Sequence, residues 1–388
     1  MDFALNEIQE VFKSTAHKYF KEKCTVAALR EAEGSENHYS PIFYKEIAEM
    51  GFIGLMIPEE YGGAGGSFMD LALVVEEAGA AVFPAPFAST LAYGVLPILQ
   101  FGTEAQKRGL LPKIAEGKLI ITGAFPEPQA HYDLMYVAAA ARKEGDTYSL
   151  SGKKMFVPYA AAADYFLTLA RTTDSIDASS EGLSLFLVKG DQAGVRINPL
   201  PAIGSDGLYE VDFEGVTVTD ADLLGNVGQG WEAAQKIVEL ATALQCIELT
   251  GLLHRATQVT NEYVKERHQF NRPIGSFQSV QHRLADMYTI VEGSRLAAYH
   301  AVSKLDQGVS AEREVAIAKA FICKEGQKVL VGAHQLHGGM GIDIDYPLQF
   351  CFRRFKSMQV NLGPTNVHLK KVAASLSGKA GSVSQLVN

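Results

Sequence analysis

Cysteine is scarce in this sequence, and no two cysteines lie close together. The 388 residues include only Cys24, Cys246, Cys323 and Cys351, and none of them belongs to a CxxC pair. Disulfide scaffolds and cysteine-based metal sites need more closely grouped cysteines than these. We therefore predict free thiols in a reducing compartment.

Long apolar runs and an excess of positive charge are also missing. No uncharged apolar run approaches the roughly 20 residues that cross a bilayer, and the N-terminal stretch has the spacing of an amphipathic helix instead of a signal peptide. Acidic residues outnumber basic ones by 44 to 35, and the net charge of -9 argues against nucleic acid as the main partner. A local basic patch for a phosphate ligand is still compatible with this charge. We expect a cytoplasmic protein that uses neither a membrane nor a nucleic acid.

Two common ligand motifs are absent as well. In the cluster "GGAGG", Gly63 and Gly65 are followed by Phe68 where a GxGxxG fingerprint needs its third glycine. The cluster also opens no strand–helix–strand unit, so a Rossmann-type site is unsupported there. His334 and His337 lie one helical turn apart, but zinc would need a third ligand that the sequence does not offer.

The chain contains three blocks with different periodicity. Residues 1–116 and 227–388 repeat apolar positions at helical spacing, whereas residues 117–226 contain short strands between Gly and Asp turns. The gaps between strands are too short for crossover helices, so the strands should pair antiparallel. We predict an α+β fold with an N-terminal helical domain, a central antiparallel β-sandwich or barrel, and a C-terminal four-helix bundle.

The junction between two predicted bundle helices is rich in hydrogen-bond donors. Residues 266–287 read "ERHQFNRPIGSFQSVQHRLADM", with arginine, glutamine and histidine around a Pro-Ile-Gly turn. A helix junction is a place where backbone N–H groups and long side chains can converge on one ligand. The alternative is a polar hinge around the Pro-Gly turn.

Four stretches in this order resemble the acyl-CoA dehydrogenase family over essentially the whole chain. They are "GLMIPEEYGGAGG" (54–66), the strand pair "YSLSGKKMFV" and "ADYFLTLAR" (148–171), the junction 267–287, and "QLHGGMGIDIDYPL" (335–348). The stretches "AFPEPQAHYDL" and "LGPTNVHL" are most similar to the small subunits of pimeloyl-CoA-type dehydrogenases. The resemblance implies an enzyme that uses FAD to remove two hydrogens from adjacent carbons of an acyl-CoA.

The resemblance also implies which residues bind FAD. Arg267 would lie against the pyrophosphate, Phe270 against the ring system and Gln278 against a phosphate or the adenosine of a neighbouring subunit's flavin. Phe156 would cover the flavin ring, and the glycines of "QLHGGMG" would let the backbone approach the dinucleotide closely. The complete predicted set is Phe125, Glu127, Phe156, Arg267, Phe270, Gln278, Gln335, Gly338, Gly339 and Asn366.

The carboxylates that usually act as the catalytic base of the family are absent. By the resemblance, a glutamate would stand at one of two positions, and these positions are Leu362 and Ala241. The position that usually offers a threonine hydroxyl and N–H to the flavin N5 is Pro158, which has neither. Pro126 replaces a second threonine. The sequence thus departs from the family at the reacting end of the site.

Glu248 is the remaining candidate for the base. It lies seven residues after Ala241, about two helical turns along the same face. A lone charge among apolar residues is costly unless it is paired or used. Glu239 lies two residues before Ala241, about 200° from it around the helix axis, so its side chain should point in a different direction. Glu248 is either the base for a displaced substrate or the buried partner of a cation, Arg255 or one from another helix.

Two functions are compatible with this pattern. The first is a complete FAD-dependent acyl-CoA dehydrogenase in fatty acid or dicarboxylic acid degradation, working as a homo-oligomer with electron-transfer flavoprotein as electron acceptor. The second is a base-lacking partner subunit that contributes half of the FAD site to a large acyl-CoA dehydrogenase subunit. A flavin-dependent oxidase or another carbanion chemistry is a third, weaker alternative. The length of acyl chain that such a site accepts is set by pocket depth, which depends on how the helices end.

Overall fold

The N-terminal domain consists of helices whose starts are set by capping residues. The computed structural model describes residues 5–129, 132–173 and 179–376. The side chains of Asn6, Ser67 and Thr103 each accept a hydrogen bond from a backbone N–H in the first turn of the following helix, which satisfies a donor that a helix start leaves free. The helices are α1 (Glu7–Lys23), α2 (Val26–Gly34), α3 (Pro41–Glu49), α4 (Phe68–Ala80), α5 (Phe87–Thr90), α6 (Leu96–Phe101) and α7 (Glu104–Ala115).

A π-helical turn, Leu91–Val95, joins α5 to α6 without a break in the helix. A π turn inserts one extra residue into the helical path and changes the direction of the side chains around it. This turn packs against the first strand of the central domain. It therefore brings side chains of the helical domain to the edge of the sheet.

The central domain is one eight-stranded sheet. Its strands are β1 (Ile121–Ala124), β2 (Ala140–Glu144), β3 (Thr147–Pro158), β4 (Tyr165–Arg171), β5 (Leu183–Lys189), β6 (Val195–Leu200), β7 (Leu208–Thr219) and β8 (Leu223–Leu224). The strand order is β6–β7–β3–β2–β4–β5–β8, and β1 pairs with β4. The predicted antiparallel β domain is confirmed by the β3–β7 and β4–β5 ladders. The exceptions are β1 and one residue of β2, which pair parallel with β4 because no hairpin turn joins them to it.

The C-terminal domain is helical, as predicted. Its helices are α8 (Gly230–Glu266), α9 (Gln278–Asp306), α10 (Glu312–His337), α11 (Pro347–Val360) and α12 (Thr365–Leu376). A small hairpin of β9 (His268–Gln269) and β10 (Arg272–Pro273) lies between α8 and α9. By length and composition α8 would be apolar enough to cross a membrane, but 83% of its most apolar window is buried inside the protein. It is the central helix of the core.

The domain limits at 116 and 226 stay a prediction. In the structure, α7 ends at Ala115 and β1 begins at Ile121, and β8 ends at Leu224 before α8 begins at Gly230. The chain thus changes from helices to strands in residues 116–120 and from strands to helices in residues 225–229.

Two glycines let α4 and α8 cross at close range. A Cβ at Gly79 would lie 2.1 Å from the carbonyl oxygen of Glu248, and a Cβ at Gly251 would lie 1.9 Å from the carbonyl oxygen of Glu76. No side chain fits at such distances. The N-terminal domain therefore packs directly onto the backbone of the central C-terminal helix.

Replacing Gly251 with Ala should destabilise the protein, because α4 and α8 would have to move apart. Overpacking of this kind costs about 1–3 kcal/mol of unfolding free energy, which a denaturant titration measures. Gly109→Ala is the matched control, since Gly109 lies in α7 with no neighbouring atom within 4 Å of an added Cβ. The control should gain about 0.5–1 kcal/mol. Equal effects of the two substitutions would contradict this account of the helix crossing.

Candidate functional site

A cavity of about 440 Å³ lies where the three domains meet. Tyr93 reaches it from the N-terminal domain, Phe125 and Phe156 from the β domain, and Val238 and Leu362 from the C-terminal domain. We call its buried lining residues the floor and its exposed lining residues the mouth. The floor includes Gly123, Phe125 and Val137, and the mouth includes Tyr132, Phe156, Ile203 and Val360.

A bulge in β3 places Phe156 at the mouth. The register between β3 and β7 shifts between Lys154 and Val157, and Phe156 takes a left-handed backbone conformation with φ of 56°. A non-glycine residue adopts this conformation at a cost of about 1–3 kcal/mol. Its ring is 56% exposed, so a flat apolar face is presented at the opening. Pro158, which also lines the cavity, contributes no N–H there.

The carboxylate of Glu127 is held inside the β domain. It accepts hydrogen bonds from Lys154 Nζ at 2.6 Å, from the Ala138 N–H at 2.7 Å and from the Ala139 N–H at 3.2 Å. Burial lowers the pKa of Lys154, although the adjacent Glu127 carboxylate opposes this. The pair fixes the loop after β1. Glu127 lines the cavity as predicted for a cofactor contact, but its carboxylate is already engaged, so its role toward FAD stays a prediction.

The two positions where a glutamate base is expected are apolar in space as well as in sequence. Leu362 lines the cavity with a left-handed φ of 58°, and Ala241 is buried in α8. Among the described lining residues, the carboxylates are those of Glu127 and Asp133. Asp133 accepts a hydrogen bond from the Met135 N–H at 3.1 Å and forms no ion pair with any described residue. The described lining therefore offers few carboxylates that could take a proton, although Lys356 and Lys371 also line it.

Glu248 is paired with Arg354 of α11. Glu248 Oε1 accepts a hydrogen bond from Arg354 Nη2 at 3.0 Å, and Arg354 Nη1 donates to the Tyr159 hydroxyl at 3.1 Å. Asp206 Oδ1 lies 3.3 Å from Arg354 Nη1 as an ion contact but accepts no hydrogen bond. Burial lowers the pKa of Arg354, but Asp206, Tyr159 and Glu248 outweigh it and raise that pKa well above its usual range.

The partner of Glu248 is thus a cation from another helix and not Arg255. Glu248 is 8% exposed and is not among the residues that line the cavity. Its position favours the ion-pair alternative. Its role as the base stays a prediction, which only a rate measurement tests.

The junction residues lie on the outer surface of the chain. Phe270 is 85% exposed and touches Phe277 edge-on, with 6.1 Å between the ring centroids. Arg267 and Gln278 are exposed, and the Arg267 guanidinium makes no ion pair within the described residues. None of the three lines the cavity. The structure therefore does not bring them together with Phe156 in one chain.

A second cleft of about 850 Å³ contains two more of the predicted residues. Gln335 and Gly338 line it, together with residues of α2 and α11 that include Arg30 and Arg353. Gly339 follows directly and has open space around its α-carbon. Asn366 is exposed on α12 and does not line the cavity, although the adjacent Val367 does. The predicted cofactor residues thus form one group at the cavity and one on outward-facing surfaces.

The two histidines of "HQLHGG" are engaged by protein groups. His334 Nδ1 bonds to the Leu330 carbonyl at 2.9 Å, and His337 bonds to the Ala333 carbonyl at 2.8 Å and the Tyr346 hydroxyl at 3.0 Å. Across the described ranges, no group of three His, Cys, Asp or Glu residues could hold a metal ion. Both histidines serve the packing around α10.

Sequence reasoning missed three residues that shape the site. Tyr93 sits in the π-helical turn, which an ordinary helical period does not reveal. Asp133 lies inside the quoted stretch "AFPEPQAHYDL" but was not singled out. Arg354 is a charge on a buried helix face, the same signal that drew attention to Glu248, and it could have been found in the same way.

His368 of α12 holds the loop that carries Leu362. Its Nε2–H donates to the Leu362 carbonyl at 2.9 Å, and its buried Nδ1 has no hydrogen-bond partner. Burial, with further contributions from Lys319 and Lys371, lowers the pKa of His368 to about 3. The imidazole is therefore neutral at physiological pH.

Three family models match the chain in succession. Residues 6–118 match "Acyl-CoA dehydrogenase, N-terminal domain", residues 122–216 match the middle domain and residues 228–377 match the C-terminal domain. The matched segments follow the three structural blocks.

Individual proteins are similar over nearly the full length. The chain is 32% identical over 337 residues to the 3-(aryl)acrylate reductase of Clostridium sporogenes, covering 86% of this chain and 89% of that one. It is 30% identical over 388 residues to the short-chain specific acyl-CoA dehydrogenase of Megasphaera elsdenii, covering 97% and 100%. The solved FAD complex of PigA is similar with a TM-score of 0.88 and 27% identity, covering 98% of this chain and 100% of that one.

His368→Gln should make the protein less sensitive to acid. In the folded protein His368 takes up a proton only near pH 3, whereas in the unfolded chain it does so near pH 6.5. Its contribution to the unfolding free energy is therefore complete above about pH 6.5 and falls by about 1.4 kcal/mol per pH unit towards pH 3. Glutamine keeps an N–H donor but does not titrate. Denaturant titrations from pH 7 to 4 should show wild type losing more stability than the variant, and parallel curves would contradict this.

Proposed function

The chain belongs to the acyl-CoA dehydrogenase family, and we propose that the cavity between its three domains is where FAD and an acyl-CoA meet. Its function is that of an FAD-dependent acyl-CoA dehydrogenase, an oxidoreductase that acts on an acyl-CoA thioester. One observation carries the placement of the site. Phe156 holds a flat, half-exposed ring at the mouth in a strained conformation, and such strain is concentrated at functional sites.

The residues at the cavity fit a flavin ring in shape and polarity. Phe125, Phe156 and Pro158 supply flat apolar surface of the kind that an aromatic ring system covers. Bound FAD would accept the hydride that leaves the β carbon of the acyl thioester. The apolar lining would exclude water from the reacting atoms. Pro158 donates no hydrogen bond, so any donor to the flavin edge must come from a neighbouring position.

The outward-facing group is proposed to bind the flavin of a neighbouring subunit. Arg267 would pair with the pyrophosphate, Phe270 would pack on the cofactor, and Gln278 would bond to a phosphate or the adenosine. Gln335, Gly338 and Gly339 would approach the same dinucleotide by their backbone. The exposure of Phe270 and the unpaired Arg267 within the described residues support this role. We therefore propose an oligomer in which each FAD site is completed by a second subunit.

The group that accepts the α proton of the substrate is not one of the usual glutamates. Leu362 and Ala241 have no basic group, and Glu248 is held by Arg354. Asp133 is the cavity carboxylate without an ion-pair partner among the described residues, so it is the next candidate after Glu248. The alternative, a base-lacking partner subunit, is not favoured, because the chain covers the whole of a short-chain specific acyl-CoA dehydrogenase.

Four further assignments belong to the proposal. Electron-transfer flavoprotein is the proposed electron acceptor, and the oligomer is formed by copies of this chain or with a large acyl-CoA dehydrogenase subunit. The similarity to the small subunits of pimeloyl-CoA-type dehydrogenases stays a prediction. A cytoplasmic location is likewise a prediction, which cell fractionation tests.

The proposed function is tested by the flavin spectrum of the protein purified alone. We expect FAD absorbance that is lost when an acyl-CoA is added without oxygen. A flavin-loaded protein that no acyl-CoA reduces, but that reduces after a large subunit is added, would support the partner-subunit alternative. A protein that binds no FAD in either setting would refute the proposal.

Arg267→Ala should weaken FAD binding with little effect on the fold. The substitution removes a charge-assisted hydrogen bond worth about 1.5–3 kcal/mol, which corresponds to a loss of about tenfold to hundredfold in affinity. The loss is measured as the fraction of FAD that stays bound after dialysis of the protein at a series of decreasing concentrations. Arg313→Ala is the matched control, since Arg313 is exposed at the opposite end of α10 from Gln335 and Gly338. Equal retention by both variants would remove Arg267 from the site.

Glu248→Gln should lower stability and leave the chemistry nearly intact. The substitution removes the negative charge that faces Arg354, and the loss of one partner of a buried ion pair lowers the unfolding free energy by up to about 3–5 kcal/mol. Anaerobic stopped-flow flavin reduction and denaturant titration should be run on Glu248→Gln, on Asp133→Asn, and on Glu262→Gln as an exposed control in α8. A rate about 10²- to 10⁴-fold lower with unchanged stability would instead identify the mutated carboxylate as the base.

A further inference from the structure

Tyr93 enters the cavity from the π-helical turn of the N-terminal domain. Its ring covers Gly123 so closely that a Cβ there would lie 2.4 Å from the ring carbons. The ring also packs on Phe125, with 5.7 Å between the centroids and 36° between the planes. Gly123 and Phe125 both belong to the floor. Tyr93 is therefore held in the cavity by contact with two residues of the floor.

The hydroxyl of Tyr93 is a polar group with no protein partner. It forms no hydrogen bond with any residue in the described ranges. The buried Tyr44, Tyr159 and Tyr299 do bond to protein groups, and the buried Tyr209 hydroxyl, which also has no partner, does not line the cavity. Burial raises the pKa of Tyr93, so the phenol is neutral and can both donate and accept. Tyr93 is half-buried, and once a ligand displaces water from the cavity, its hydroxyl is costly to leave without a hydrogen-bond partner.

We propose that the Tyr93 hydroxyl is a specificity-determining group that binds an oxygen atom on the acyl chain of the substrate. This inference rests on the proposed function of the cavity and narrows its substrate class. The preferred acyl-CoA would carry a hydroxyl, oxo or ether oxygen that reaches the floor. A chain without that oxygen would leave the phenol unpaired, and sites that hydrogen-bond a substrate group reject analogues that lack it.

The charges around the floor favour a neutral oxygen over a carboxylate. Gly123, Phe125 and Val137 have no charge, and the buried Glu127 carboxylate is already neutralised by Lys154 at 2.6 Å. The cations of the cavity lining, Lys356 and Lys371, belong to its half-buried part on α11 and α12 and not to the floor. A carboxylate held at the floor would lose its hydration and meet only the neutral phenol, which is expensive. The floor is therefore suited to a neutral oxygen, and a carboxylate-ended analogue tests whether the two lysines change this preference.

Equilibrium binding of unreactive analogues tests the proposal. S-alkyl-CoA thioethers of one chain length, unsubstituted or bearing a hydroxyl, an oxo group or a terminal carboxylate, are titrated into the flavin-loaded protein by calorimetry. We expect wild type to bind the hydroxyl or oxo analogue about 5- to 100-fold more tightly than the unsubstituted one. Tyr93→Phe should bring this ratio close to 1. Tyr288→Phe, a phenol exposed on α9, should keep the wild-type ratio.

Other outcomes overturn the proposal in distinguishable ways. An unchanged ratio in Tyr93→Phe would exclude the phenol, and tightest binding of the carboxylate analogue would exclude the neutral-oxygen class. Gly123→Ala gives a second test, because the added methyl group displaces the ring while the hydroxyl is retained, and it should also lower the ratio. A wild type that acyl-CoAs reduce but that shows no preference refutes only this inference. A wild type that binds no thioether and is reduced by no acyl-CoA refutes the proposed function with it.

Discussion

The site depends most on the ion pairs and the hydrogen bond that the buried guanidinium of Arg354 forms. One buried cation contacts Glu248 on α8, Asp206 in the connection before β7, and Tyr159 at the end of β3. It therefore joins the β domain to the helical bundle beside the cavity. A buried cation is tolerated only with such partners, and the loss of one partner leaves an unpaired charge. The wall that includes Ser357, one turn further along α11, is positioned by this contact.

The same contact keeps one carboxylate out of the cavity. Glu248 is the charge that the sequence places on the same helix face as Ala241, and Arg354 engages it outside the cavity lining. Leu362 occupies the remaining base position in a left-handed conformation, and His368 holds its carbonyl. The chain has kept the architecture that surrounds a flavin and a thioester, while the groups that usually move the proton are replaced by packing residues. Asp133 and Tyr93 are among the polar residues that line this space, together with Lys356 and Lys371.

A single chain separates the predicted cofactor residues into two groups. Phe125 and Phe156 belong to the cavity, whereas Arg267, Phe270 and Gln278 lie on the outside of the α8–α9 junction. No rearrangement inside one rigid bundle could bring the second group to the first, because α8 is packed along its length and is crossed closely by α4 at Gly79 and Gly251. Association between subunits is the simplest way to bring both groups to one cofactor. The proposed assembly would cover the exposed Phe270 ring.

The sequence by itself determined the order of the domains, the antiparallel β block and the long apolar helices, because apolar periodicity and turn residues are local signals. It also showed that Leu362 and Ala241 have no carboxylate. Tertiary structure alone decided that Glu248 meets Arg354 instead of Arg255, and that Tyr93 meets Gly123. These contacts join residues far apart in the chain, and their geometry depends on helix crossings and on one π-helical turn. Which buried side chains contact each other depends on how the helices and strands pack together, and no single stretch of sequence determines that packing.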